Sequence, residues 1–265
     1  MKNTLTIFIV LSLLLVSCNK TDEPQNTQDH LMMSVLWYQK SAEMKALYYQ
    51  AFNLAKLRLD QELAENNSER QKAVIVDIDE TMLDNSPFET NCIRTGKGFS
   101  NESWSEWTSR IEATALPGAV EFSQYAKSKN VDIFYISNRS VDDFGVTLKN
   151  LQKEKFAYAD SLHLLLKTNT SSKKLRREIV ENNYDILLLI GDNLGDFSEI
   201  FEDRSNNYGF DVVDKYRDLF GDQFIVLPNP MYGSWESPIL KSDKDLSETQ
   251  KYEMRKAALK GYLDQ

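Results

Sequence analysis

At 265 residues, with Lys and Arg totalling 31 against 40 Asp and Glu, the chain carries a formal net charge of -9. That balance argues against a general nucleic-acid binder, which needs a basic face, yet leaves room for a small phosphorylated ligand, because the local field of a metal outweighs net charge. The aliphatic and aromatic content is that of a globular protein, either one domain with an insertion or two small domains.

The chain opens with a targeting pattern over residues 1–17: Lys2, an apolar run over 5–16, then Ser17 before Cys18. As a helix that run covers about 18 Å, too short for a hydrocarbon core of about 30 Å. Leu15-Val16-Ser17-Cys18 resembles the lipobox of bacterial lipoproteins, whose cleavage leaves the cysteine as an acylated (palmitate-bearing) N-terminus. Cys18 is therefore expected to anchor the chain to a membrane, with a flexible polar tether over 18–30. Only Cys92 then remains, which permits no intramolecular disulfide, and a small buried side chain is its expected role. His30 falls in the tether and His163 beside an apolar strand, so neither makes a pair suited to metal binding.

Residues 31–70 read as N-terminal helices, one long or two joined, with apolar positions from Leu36 to Leu63 and no Gly or Pro through 31–65. From there to about 240 a core alternates apolar runs at 73–78, 131–136, 162–166, 186–190 and 223–227 with helical segments near 118–129, 142–154, 171–183 and 207–221. Strands separated by helices of that length predict right-handed βαβ crossovers, hence an α/β doubly wound parallel sheet with helices on both faces. The insertion at about 84–116, carrying Trp104 and Trp107, is too long for an ordinary βα loop and is expected to form a helical cap with the N-terminal helices. A final segment, 241–265, reads as an amphipathic helix begun by Ser247.

Four strand or helix ends carry the chemistry. Val74-Ile75-Val76-Asp77-Ile78-Asp79-Glu80-Thr81 delivers two carboxylates and a hydroxyl to the sheet's C-terminal edge. Carboxylates this close repel unless a cation sits between them or one holds a proton, and a bound Mg²⁺ answers that repulsion. Ser137-Asn138-Arg139 supplies a hydroxyl and N–H groups for phosphate oxygens, and Lys173, opening a helix, supplies a cation. Gly191-Asp192-Asn193-Leu194-Gly195-Asp196 adds two more acids. Asp77 suits a nucleophile toward phosphorus and Asp79 a general acid and base. Asp77, the backbone carbonyl of Asp79 and Asp192 would hold one Mg²⁺ per chain, with Asp196 behind them orienting a metal-bound water. Thr81, Ser137, Asn138 and Lys173 are expected around the phosphate.

These four segments resemble the motifs of the haloacid-dehalogenase (HAD) superfamily, specifically its class C bacterial acid phosphatases, which include surface-lipoprotein 5′-nucleotidases. Trp37-Tyr38-Gln39, Tyr48-Tyr49-Gln50-Ala51 and the run from Leu227 to Glu236 are also similar to family segments. The resemblance implies a HAD-like fold and a Mg²⁺-dependent phosphomonoesterase with an acidic optimum and a preference for nucleoside 5′-monophosphates. It also implies an exported lipoprotein, at the periplasmic or cell-surface face of the outer membrane. Aromatic residues hold the nucleobase in that family, which makes Trp104 and Tyr232 the candidates here. Lys173 is preferred over its neighbour Lys174 because Lys-x-x-Arg-Arg matches the family spacing. Capture of a nucleotide, haem or host ligand without turnover, and phosphoryl transfer to an acceptor alcohol, are the rival functions.

Overall fold

The computed structural model describes residues 26–243 and 245–263, so the signal segment, Cys18 and most of the tether lie outside the described residues. Two helices come first, α1 (Met32–Lys40) and α2 (Ala42–Glu65). They divide at Ser41, whose extended backbone (φ -85°, ψ 134°) lets its hydroxyl accept from the Met44 N–H and cap α2.

The sheet consists of β1 (Gln71–Val76), β4 (Val131–Ser140), β5 (Leu164–Lys167), β6 (Tyr184–Gly191) and β7 (Phe224–Val226), all parallel, in the order β5-β4-β1-β6-β7. Between them run α5 (Ala119–Ser128), α6 (Phe144–Lys153), α7 (Lys174–Glu181) and α8 (Phe210–Lys215). This is the doubly wound α/β architecture that the alternation predicts. In β1 every residue of Ala73-Val74-Ile75-Val76 is buried, because both faces are covered. Val74 and Val76 point to one face, against Tyr48, Phe52 and Leu59 of α2 and Phe122 of α5. Ala73 and Ile75 point to the other, with Phe134, Ile136 and Val180 of α7. The chain builds outward from β1 through β4 to β5, then crosses back to lay β6 and β7 on the other side. The reversal leaves a crevice beyond the C-terminal end of β1, where open α/β sheets take their ligands.

The insertion begins and ends in a short antiparallel ladder, β2 (Leu83–Asp84) with β3 (Thr114–Ala115), and holds α3 (Ser86–Thr95) and α4 (Asn101–Ser109). Where one helix is expected over 207–221, left-handed backbone at Tyr208 (φ 56°) and Gly209 (φ 82°) interrupts it and leaves α8 only six residues long. The last helix, α9 (Glu248–Ala258), starts at a Ser247–Gln250 capping box. It buries no residue and holds to the body by polar links, Glu248 to Gln28 at 2.8 Å and Arg255 to Glu236 at 2.6 Å. The tether expected over 18–30 is already packed by residue 26: Asn26 Nδ2 donates to the Ile93 carbonyl at 2.6 Å, and Gln28 is buried. Among the described residues no helix is long and apolar enough to cross a membrane.

Candidate active site

Three neighbouring strands end in register: Val76 of β1 sits opposite Tyr135 of β4 and Ile190 of β6. The residues that follow, Asp77, Ser137-Asn138-Arg139 and Asp192, therefore meet at one edge, and the Asp77 N–H donates to the Ile190 carbonyl at 2.9 Å. After Asp77 the chain turns tightly, with the N–H groups of Met82 and Leu83 both reaching the Ile78 carbonyl at 2.8 Å. Glu80 makes this turn with left-handed backbone (φ 59°), unusual for a residue with a side chain. Its carbonyl accepts from the Tyr48 hydroxyl of α2, which also meets the Tyr38 hydroxyl, and its carboxyl accepts from the Asn85 N–H at 2.7 Å. Burial, together with the charges of Asp79 and Asp192, pushes the Glu80 carboxyl far above its usual range.

Asp77, Asp192 and Asp196 present carboxylate oxygens within 4.8 Å of one another. Lys173, itself buried, donates to Asp77 Oδ1 and forms an ion pair with Asp196 at 2.7 Å. Burial alone would lower the Lys173 pKa; Asp196 and Asp77 more than offset it, and the ammonium is stabilised. Burial raises Asp77 well above its usual range, with Lys173 opposing and the other three acids adding, and raises Asp192 to about 7, Asp196 contributing next. When all three are ionised, as with a cation bound, three carboxylates against one ammonium leave two negative charges in a largely buried space. An all-oxygen donor set of that charge fits a hard divalent cation such as Mg²⁺. Gly191 allows the close packing: a Cβ there would lie 2.6 Å from Asp196 Cβ.

Asp196 thus stands inside the acidic cluster, where the sequence places it behind. Asp79, expected as the general acid and base, lines the same cleft, and its carboxylate is held by other partners. Asp79 Oδ1 accepts from Asn85 Nδ2 and Arg139 Nε, both at 2.9 Å, and pairs with Arg139 Nη2 at 2.8 Å, while Oδ2 accepts from Ser137 Oγ at 3.1 Å. Thr81 and Ser137, both expected at the phosphate, are fully buried, and neither lines the cleft. The Thr81 hydroxyl donates to Asp192 at 3.2 Å and that of Ser137 to Asp79, so each supports an acid instead. Asn138 and Lys173 do line the cleft. Arg176 Nη2 donates to Asn138 Oδ1 at 2.7 Å, which leaves the Asn138 amide N–H groups for an anion. Lys174 is exposed and pairs with Glu199 at 2.8 Å, so Lys173 is the lysine of the site.

The supporting roles of several further residues emerge with the fold. Arg139 was legible: two positions after Ser137 on a strand, it shares that residue's face. Trp107 donates its indole N–H to Asn85 Oδ1 at 2.8 Å, linking the cap to Asp79 through one amide. Asn229 donates to Asp192 at 2.9 Å. Arg176 belongs to the Lys-x-x-Arg-Arg run, but its bond to Asn138 of β4 is set by the fold, as are the bonds of Asn85 to Trp107 and Arg139.

The acids open into a cleft of about 1030 Å³, whose lining includes both Trp104 and Tyr232. Trp104 stands edge-on to Phe88, ring centres 5.0 Å apart, and the Arg139 guanidinium lies 5.8 Å from its ring. The Tyr232 hydroxyl is buried without a hydrogen bond. His30, far from loose, also lines this cleft, and burial holds its imidazole below the usual range.

Comparison with known proteins agrees with this arrangement. Residues 16–235 match the model of the HAD superfamily, subfamily IIIB (acid phosphatase). Among solved structures, the class C acid phosphatase from Bacillus anthracis is 40% identical with a TM-score of 0.86, covering 90% of this chain and 100% of that one. The same enzyme with tungstate bound is 38% identical with a TM-score of 0.84, over the same shares. The soybean (Glycine max) stem 31 kDa glycoprotein is 28% identical over 169 residues, 60% of this chain. The match spans only 58% of that glycoprotein's length. With a family match over most of its length and the acids gathered at the sheet's switch point, the chain belongs to the subfamily IIIB acid phosphatases of the HAD superfamily.

Proposed function

We propose that this protein is a Mg²⁺-dependent phosphomonoesterase that hydrolyses nucleoside 5′-monophosphates through an aspartyl-phosphate. The observation that carries the reading is the buried group of Asp77, Asp192, Asp196 and Lys173, with Asp79 two residues beyond the first acid. Lys173 holds Oδ1 of Asp77, and Oδ2 is the atom left to attack phosphorus. As that P–O bond forms, the bond to the ribose 5′ oxygen breaks, and a proton from Asp79 neutralises the departing alkoxide. Asp79 then takes a proton from the water that cleaves the acyl phosphate. Its carboxyl reaches these atoms when a contact to Arg139, Asn85 or Ser137 opens, so those residues govern its availability. Asp77, Asp192 and Asp196, with the backbone carbonyl of Asp79, would hold the Mg²⁺, which when bound adds positive charge beside the phosphoryl oxygens. Asn138 and Lys173 supply the protein's own donors there. A relative solved with tungstate, a tetrahedral oxyanion, supports such a ligand. Trp104 and Tyr232 give the nucleobase aromatic surface in the same cleft.

We further propose that Cys18 is acylated and anchors the enzyme to the outer membrane, on the pattern Leu15-Val16-Ser17-Cys18. Mass spectrometry of the N-terminal peptide tests this, and an unmodified Cys18 in native membranes refutes it. Incubating the mature chain with AMP and Mg²⁺ should release phosphate, with loss on EDTA. AMP binding without phosphate release at any pH would replace the phosphatase reading with capture alone.

A further inference from the structure

We propose that Glu89 recognises the hydrogen-bonding edge of the nucleobase, and so sets which bases the cleft accepts. The inference rests on the nucleotide reading above and deepens it. Glu89, on α3 of the cap insertion, is only 9% exposed and lines the same cleft as Trp104 and Tyr232. Among the described residues no hydrogen bond or ion pair to its carboxyl is found. Its oxygens keep contact with solvent, so a ligand that displaces that water can take up their hydrogen bonds. The Tyr232 hydroxyl and Arg255 Nη1, both residues of that cleft, are buried without a hydrogen bond. An aromatic-lined space with unpartnered polar groups suits a flat heterocycle that carries donors and acceptors on its rim.

Burial is the sole cause that raises Glu89 to about 7, so the group changes charge across an accessible range. Protonated, the carboxyl both donates and accepts, and it pairs with a lactam edge (uracil, or N1–H and O6 of guanine) or with an amino-pyrimidine edge. Ionised, it only accepts, and it pairs well only where two N–H donors adjoin, as at N1 and N2 of guanine. Other ionisable groups share this region: Cys92 on α3, His30 from the N-terminal turn, Glu236, and Glu248, Lys251 and Arg255 from or beside α9. Glu248 is tied to Gln28 and Lys251, and Arg255 to Glu236. Comparing Glu89→Gln with the native chain separates the contribution of Glu89 from theirs.

The test is binding of guanosine and of uridine, neither of which carries phosphate, followed by tryptophan fluorescence in the native chain and in Glu89→Gln. At about pH 5.5 the native chain should bind both nucleosides. At about pH 8, where a group titrating near 7 is about nine-tenths ionised, uridine should weaken about tenfold and guanosine should not. Glu89→Gln, which donates and accepts at every pH, should lose that divergence, with its fold verified by circular dichroism. Parallel pH responses of the two nucleosides, binding of neither, or an unchanged divergence in Glu89→Gln would each overturn the proposal. Release of phosphate from ribose 5-phosphate by the native chain tests the phosphatase reading separately, because that substrate carries no base.

Discussion

Replacing Glu89 by Gln should change how stability depends on pH, by an amount the structure sets. Burial moves the carboxyl from 4.5 to about 7. Below about pH 4.5 it is protonated in both the folded and the unfolded chain. Between there and about 7 the unfolded chain gives up its proton while the folded chain keeps it, so the folded state binds more protons and stability falls as pH rises. Above about 7 both forms are ionised and the loss is complete. At about 1.4 kcal/mol per tenfold, the displacement amounts to about 3 kcal/mol. For a domain of this size that corresponds to roughly 6–12 °C in melting temperature. Calorimetric melts of the native chain and Glu89→Gln in EDTA, from about pH 4 to 8.5, give the difference. The variant should gain on the native chain by about that amount as pH rises. Other buried acids, Glu80 and Asp192 among them, titrate equally in both proteins and cancel. A difference that stays flat across this range would mean that the carboxyl finds a partner or is well hydrated, and would remove the physical basis for its place in the cleft.

Asp77→Asn should lower phosphate release from AMP at least about 10³-fold, as loss of a nucleophile does elsewhere; full activity would refute its role. Lys173→Met leaves Asp77 and Asp196 buried without their cation and should cost about 3–5 kcal/mol in EDTA, read by urea denaturation. A stability within about 1 kcal/mol of the native chain would show that the pair contributes little. Trp107→Phe removes the donor to Asn85 and should lower kcat about tenfold with KM little changed, because it disturbs the support of Asp79 and leaves the cleft lining intact. A rise in KM alone would place Trp107 in substrate binding instead. Gly191→Ala forces Asp196 aside and should abolish the rise in melting temperature on adding Mg²⁺; an undiminished rise would exclude Asp196 from the ion site.

The parallel sheet, its flanking helices and the positions of Asp77, Asp79 and Asp192 were legible in the sequence, because each rests on local pattern. A buried strand announces itself as an apolar run, and the polar residue that ends it falls at the sheet edge whatever its neighbours are. The choice of Lys173 over Lys174 came only from family spacing, and burial between two carboxylates is what separates them. The orientations of Thr81 and Ser137 toward neighbouring acids, the entry of Asp196 into the acidic cluster and the pairing of Asp79 with Arg139 depend on tertiary structure. So does the exposure of Glu89 to the cleft, since α3 reads as an ordinary helix until the insertion closes over the sheet. Chain-local periodicity determines which residues reach the end of a strand. Which partner each then meets depends on the lateral order of the strands and on the fold of the cap, and those bring together groups as far apart as Asp77 and Lys173, which are 96 positions distant.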